Sequence, residues 1–92
     1  MQLIFIYKER IPMETRVAVI SIIIEDSASV QAMNEILHQH AQYIIGRMGI
    51  PYREKGISII SVAVDAPINV INTLSGKIGR LHGVSAKAAC TK

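Results

Sequence analysis

The sequence has no tryptophan, a single phenylalanine and a single cysteine, and aromatic residues make up only 4% of it. With so few rings, the core has to be built from Ile, Val, Leu and Ala, and hydrophobic residues at 50% of the chain supply them. The solitary Cys90 excludes a disulfide framework and makes a reducing cytoplasm the default setting. No apolar run reaches the roughly 18–20 residues that cross a bilayer, so no membrane association is expected. The opening Met1–Ile6 is too short for the apolar stretch of a secretory signal and has no basic residues before it. Charge of neither sign accumulates. Ten Lys or Arg face seven Asp or Glu, for a formal net charge of +3, and the basic residues are scattered. A sequence-local basic arm for nucleic acid is therefore absent, as is a helix-turn-helix segment, which leaves DNA contact at most indirect.

What is present is ninety-two residues, enough for one domain with a small core. The first twelve, MQLIFIYKERIP, precede a second methionine, Met13. They read as an N-terminal extension, either a short edge strand or a stretch upstream of a native start at Met13, with residues 13–92 forming the domain. The chain is organised around Tyr43–Asp65, where two apolar runs flank a centre carrying Gly46, Gly49, Pro51 and Gly56 among Arg47, Arg53, Glu54 and Lys55. That pattern is strand, polar connection, strand: a hairpin with an elaborated loop.

Shifting the chain by forty residues lays Val17–Glu25 on Ile57–Asp65, with Ser21 on Ser61 and Glu25 on Asp65. Downstream, Ile44 falls on Val84. Each half therefore reads strand, helix, strand. In the first half, a β-branched strand over Arg16–Glu25 leads to Asp26 or Ser27 as N-cap. A helix follows to about His40 with the stripe Val30, Met33, Leu37 and Ala41, and then a short strand over Tyr43–Arg47. In the second half, a strand over Ile57–Asp65 leads to Asp65 or Ala66 as cap, with Pro67 in the first turn. The second helix carries Ile71, Leu74, Ile78 and Leu81, Gly79 or Gly83 ends it, and the last strand is Val84–Ala89.

The order βαββαβ predicts an α+β, ferredoxin-like sandwich: a four-stranded antiparallel sheet with two helices on one face. A half-solvated strand alternates apolar with polar residues, but both faces of the first and third strands are apolar. Ala18, Ile20, Ile22 and Ile24 oppose Val17, Val19 and Ile23; Ile60, Val62 and Val64 oppose Ile57, Ile59 and Ala63. The expectation is a homo-oligomer joined through the sheet face or its edges.

Three segments, METRVAVISIIIED, NEILHQHAQYIIGRMGIPYREKGISIISVAVDAP and LSGKIGRLHGVSAK, resemble the small iron-only ([FeFe]) hydrogenase system regulators. GRMGIPYREKGI is the most specific piece, and the resemblance runs from Met13 to Lys92. It implies an ACT-like domain, similar in fold to the ligand-binding domain of nickel-responsive regulators. It also implies a regulatory or accessory role around [FeFe]-hydrogenase, with hydrogenase-system proteins as partners.

Three constellations are candidates for function. Arg47, Tyr52, Arg53, Glu54 and Lys55 form the first, an effector or interface loop whose guanidinium groups suit a small anion such as a carboxylate or phosphate. Asp26 and Ser27 form the second, at the strand–helix entrance. ACT domains bind amino acids there with a glycine in the turn, but Ser27-Ala28-Ser29 has none, and helix capping alone accounts for both residues. The third is a metal alternative, His38, His40, His82 and Cys90, prompted by the His and Cys ligands of nickel-responsive regulators. These do not match that family's spacing, and on a helix His38 and His40 point about 160° apart. No nucleophile–base order is evident, so the reading is a non-enzyme without a cofactor that binds a small effector or partner at subunit interfaces. A metal-handling or maturation accessory protein is the alternative.

Overall fold

The structure, a computed structural model, describes residues 14–91, so the readings of residues 1–12 and of Met13 lie outside the described residues. Strand β1 (Arg16–Ile24) leads through a 3-10 turn (Ser27–Ser29) into helix α1 (Val30–Gln39). A second 3-10 turn (Ala41–Tyr43) precedes β2 (Ile44–Tyr52), and a third (Arg53–Lys55) precedes β3 (Ile57–Ala66). Helix α2 (Ile68–Gly79) and strand β4 (Val84–Cys90) complete the fold. The sheet order is β2-β3-β1-β4 with every neighbouring pair antiparallel, the ferredoxin-like arrangement.

Alternation sorts the two central strands. Ala18, Ile20, Ile22 and Ile24 of β1 and Ile60, Val62, Val64 and Ala66 of β3 are buried beneath the helices. Met33 and Leu37 of α1 meet them from above, with Ile71, Leu74 and Ile78 of α2. Each fully buried Ile, Leu or Val here contributes about 1.5–3 kcal/mol relative to exposure. Val17, Val19 and Ile23 of β1 and Ile59 of β3 face the other way and stay 40–43% exposed. Both apolar faces are thus present, and among the described residues only one is covered.

Three local expectations are corrected. The strand expected over Tyr43–Arg47 continues to Tyr52, so the elaborated loop shrinks to the turn Arg53–Lys55 closed by left-handed Gly56. Gly46, Gly49 and Pro51 are accommodated because β2 is an edge strand, bonded only to β3. Asp65 does not cap α2; it stays in β3 opposite Val17, and the cap position falls to Pro67, whose carbonyl accepts from the amides of Val70 and Ile71. Ala41 lies beyond the end of α1 in a 3-10 turn and is exposed, because the chain leaves helical geometry at His40.

Two glycines have positive φ, Gly56 at 64° and Gly83 at 68°. A Cβ on Gly56 would meet nothing within 4 Å, whereas on Gly83 it would lie 2.7 Å from Asp26 Cβ and 3.0 Å from Asp26 N. Gly56→Ala should therefore cost only the left-handed penalty, about 1–2 kcal/mol. Gly83→Ala should cost more, because the backbone at Asp26 must also move. Urea unfolding of the two variants checks this order, and equal losses would contradict the close approach at Gly83.

Candidate functional site

Register brings the strand–helix entrance against the end of the second half. Ile24 pairs with Val84 at the end of the β1–β4 ladder, so one and two residues further on, Glu25 faces Gly83 and Asp26 faces His82. The Glu25 amide donates to the Gly83 carbonyl at 2.7 Å, and Ser29 Oγ donates to the His82 carbonyl at 2.6 Å. Asp26 Oδ2 lies 2.7 Å from His82 Nδ1, while its Oδ1 accepts from the Ala28 amide at 2.9 Å. One carboxylate thus caps the 3-10 turn and holds the imidazole. Ser27 is exposed in that turn and makes no side-chain cap bond; the buried serine is Ser29.

The Ala28 amide first and the hydrogen bond to His82 second hold the Asp26 carboxyl below its ordinary value; desolvation opposes them, and the charge interaction with His82 adds the smallest part. Both side chains are substantially exposed, so the pair is screened by solvent and acts more as a fastener than as a store of stability.

The hairpin residues separate into two groups. Pairing of β2 with β3 shifts by one residue between Ile44 and Gly46, a bulge at Ile45 that exchanges the faces of the strand beyond it. Arg47, opposite Val62, therefore turns to the helix side, where its Nη1 donates to Asn34 Oδ1 at 3.1 Å. Tyr52, opposite Ile57, lies on the open side, and its hydroxyl donates to Glu54 Oε2 at 3.4 Å. Arg53, Glu54 and Lys55 are exposed in the turn. Five residues of extended chain separate Arg47 from Tyr52, about 16 Å at 3.3 Å each. Within one protomer, Arg47 and Arg53 do not close on one anion.

The histidines and the cysteine are dispersed. His40 Nδ1 rests 2.8 Å from the Ile36 carbonyl, His82 is held by Asp26, His38 is exposed on α1, and Cys90 lies opposite Ala18 at the end of β4. Among the described residues, no three His, Cys, Asp or Glu side chains gather as a set able to hold a metal ion. No helix of the described residues is long and apolar enough to cross a membrane.

Sequence reasoning passed over Asn34 and read Gly83 only as a helix end and Ser29 only as part of a turn without glycine. The signal for Gly83 was the topology itself, since a ferredoxin-like order sets the last strand beside the first. A depressed Asp26 pKa means that its contribution is present above the ordinary carboxylate value of 3.8 and fades as pH falls through the lowered folded value. The stability difference between wild type and Asp26→Asn should therefore shrink on acidification through that range. Urea midpoints at successive pH values measure it; a difference that stays constant would show that Asp26 has no favoured charge in the fold.

The family model described as "TM1266-like: Iron-only hydrogenase system regulator, putative" matches residues 16–88. No curated protein matches the chain. Among solved structures, the uncharacterized protein TM1266 from Thermotoga maritima superposes with a TM-score of 0.82 at 31% identity, over 86% of this chain and 100% of that one. The matched segment takes in all four strands to within two residues of the end of β4, both helices and the Asp26–His82 junction. The chain belongs to the TM1266-like family of iron-only hydrogenase system regulators.

Proposed function

We propose that the chain is a non-enzymatic, ACT-like regulatory module of the [FeFe]-hydrogenase system. It works in the cytoplasm as a homo-oligomer and binds a small effector or a hydrogenase-system protein at surfaces between subunits. Family membership supports the setting, and the observation that carries the mode of action is the uncovered sheet face.

That face is ordered in rows by the register. Ser85, Ile23, Ile59 and Ile50 form one row, Lys87, Ser21, Ser61 and Met48 the next, and Ala89, Val19, Ala63 and Gly46 a third. Met48 and Ile50 are 71% and 60% exposed. At about 4.8 Å between strands and 3.3 Å per residue, four strands of about seven residues present on the order of 400 Å2 in projection, with mainly apolar side chains in the outer two rows and the polar Lys87, Ser21 and Ser61 between them. Its strand charges are one acid, Asp65 opposite Val17, and one base, Lys87 opposite Ser21. A surface balanced in this way suits pairing with a copy of itself, because an isologous contact places the same patch on both sides without a net repulsion.

In this reading Arg47, Tyr52, Arg53 and Lys55 contact the effector or the adjacent protomer, while Asp26 and Ser27 line the strand–helix entrance. Any DNA control passes through another protein or through a basic surface formed on assembly. Deleting the gene in a hydrogenase-producing host should alter hydrogenase transcript or activity; unchanged levels of both would overturn the regulatory role. Ile59→Lys, at the middle of an apolar row, should convert the oligomer to a monomer with the same far-UV circular dichroism. Sedimentation at micromolar concentration reads the mass, and a wild-type chain that sediments as a monomer would refute the sheet-face assembly.

A further inference from the structure

The bulge that sends Arg47 to the helix side also places it at the mouth of a cleft between α1 and β2. The cleft has a volume of about 330 Å3 and is lined by Asn34, Leu37, His38, Ala41, Ile44 and Arg47. That is at the small end of the range in which ligand sites fall. Leu37, Ala41 and Ile44 make an apolar floor, and Leu37 belongs to the main core. The polar lining comes from both walls, Asn34 and His38 from α1 and Arg47 from β2. No carboxylate lines the cleft, and among the described residues none lies within ion-pair distance of Arg47. The neighbouring groove on the outer side of α1 differs, because Glu35 lines it.

The hydrogen bond between Arg47 and Asn34 decides what those two residues offer, while the His38 ring can donate or accept. Asn34 Oδ1 accepts from Arg47 Nη1 at 3.1 Å, so the carbonyl end of the amide is engaged and its NH2 remains a donor. The remaining N–H groups of the guanidinium are donors as well, with no acceptor capacity. A set of donors with positive charge beside an apolar floor matches a ligand with an anionic, acceptor-only head and a short hydrocarbon tail. A planar carboxylate fits a guanidinium in the two-pronged manner that a lysine does not offer. Inorganic phosphate would use the donors and leave the floor uncovered.

The geometry points to the α1–β2 cleft as a binding site for a short aliphatic carboxylate, with Arg47 and Asn34 holding the head and Leu37, Ala41 and Ile44 the tail. This rests on the reading of the chain as an effector-binding module and specifies the chemistry of the effector. It also moves the site away from the hairpin tip, where Arg53 and Lys55 stand in open solvent.

The test is a titration of the 15N-labelled full chain with pentanoate, with pentanamide and inorganic phosphate as comparisons. Pentanoate should shift the amide signals of Leu37, Ile44 and Arg47 saturably, while pentanamide and phosphate leave them unmoved. Arg47→Gln should weaken pentanoate binding by about tenfold or more, the usual loss of a charged hydrogen-bonding partner. Arg53→Gln should leave it unchanged. If Arg47→Gln does not fold, Asn34→Asp serves instead, since a carboxylate at that position would occupy the guanidinium and compete with the ligand. The inference is overturned if pentanoate gives no saturable shift, if pentanamide or phosphate binds equally well, or if the shifts centre on Arg53–Lys55. A negative titration with the oligomer and the hydrogenase phenotype intact counts against this site alone. Loss of the phenotype-based reading would leave the titration standing on its own result.

Discussion

Everything in this fold depends on the position of β1 between β3 and β4. A strand hydrogen-bonded on both edges must satisfy its backbone through two partners, and its β-branched side chains suit the pleat on either face. The antiparallel register with β3, Ser21 opposite Ser61, aligns the apolar sets so that Ile20, Ile22, Val62 and Val64 fall on the same side. Burying that side beneath two helices forms the core. The register with β4 has a different consequence. It carries past Ile24 and Val84 and sets the first helix's entrance against the turn after the second, where Asp26 and His82 meet. One central strand therefore organises both the core and the junction between the two halves.

The same constraint leaves β2 at the edge, where the physical demands are weaker. A strand paired on one side tolerates a bulge, two glycines and a proline that an interior position would not. The bulge at Ile45 is a small irregularity with a large effect, because side chains alternate and one extra residue reverses every face after it. It presents Met48 and Ile50 to the open side and Arg47 to α1. Exposed apolar surface on the open side and a positive group beside a helix thus arise from the same local insertion. The hairpin tip then closes in three residues and a left-handed glycine.

The central architecture was legible in the sequence because periodicity reports burial. Val17–Glu25 and Ile57–Asp65 are continuous enough to mark strands, and Met33, Leu37, Ile71, Leu74 and Ile78 recur at helical spacing. The forty-residue repeat exposed the split arrangement. The end of β2 was not legible, since a strand exposed on most of its length shows no alternation and its Gly and Pro residues imitate a loop. Asp65 looked like a cap because short acids favour that position, yet β3 runs one residue beyond it, to Ala66. Asp26 was legible as a cap. Its bond to His82 was not, because the two lie fifty-six residues apart in the chain.

By itself, the sequence determined the fold class, the two central strands, the buried positions Met33 and Leu37 of the first helix and Ile71, Leu74 and Ile78 of the second, and a sheet with apolar side chains on both faces. Those features follow from local periodicity and composition, which each segment carries in its own residues. Ala41 and Leu81, read as part of the same stripes, fall beyond the helix ends. Tertiary structure alone decided the register, and with it the neighbours of each candidate side chain. The Asp26–His82 contact requires β4 beside β1 at one specific offset, and the Arg47–Asn34 contact requires a bulge in pairing between β2 and β3. Such offsets depend on how two distant strands align their hydrogen bonds, and a one-residue difference would turn the same side chains to the opposite face.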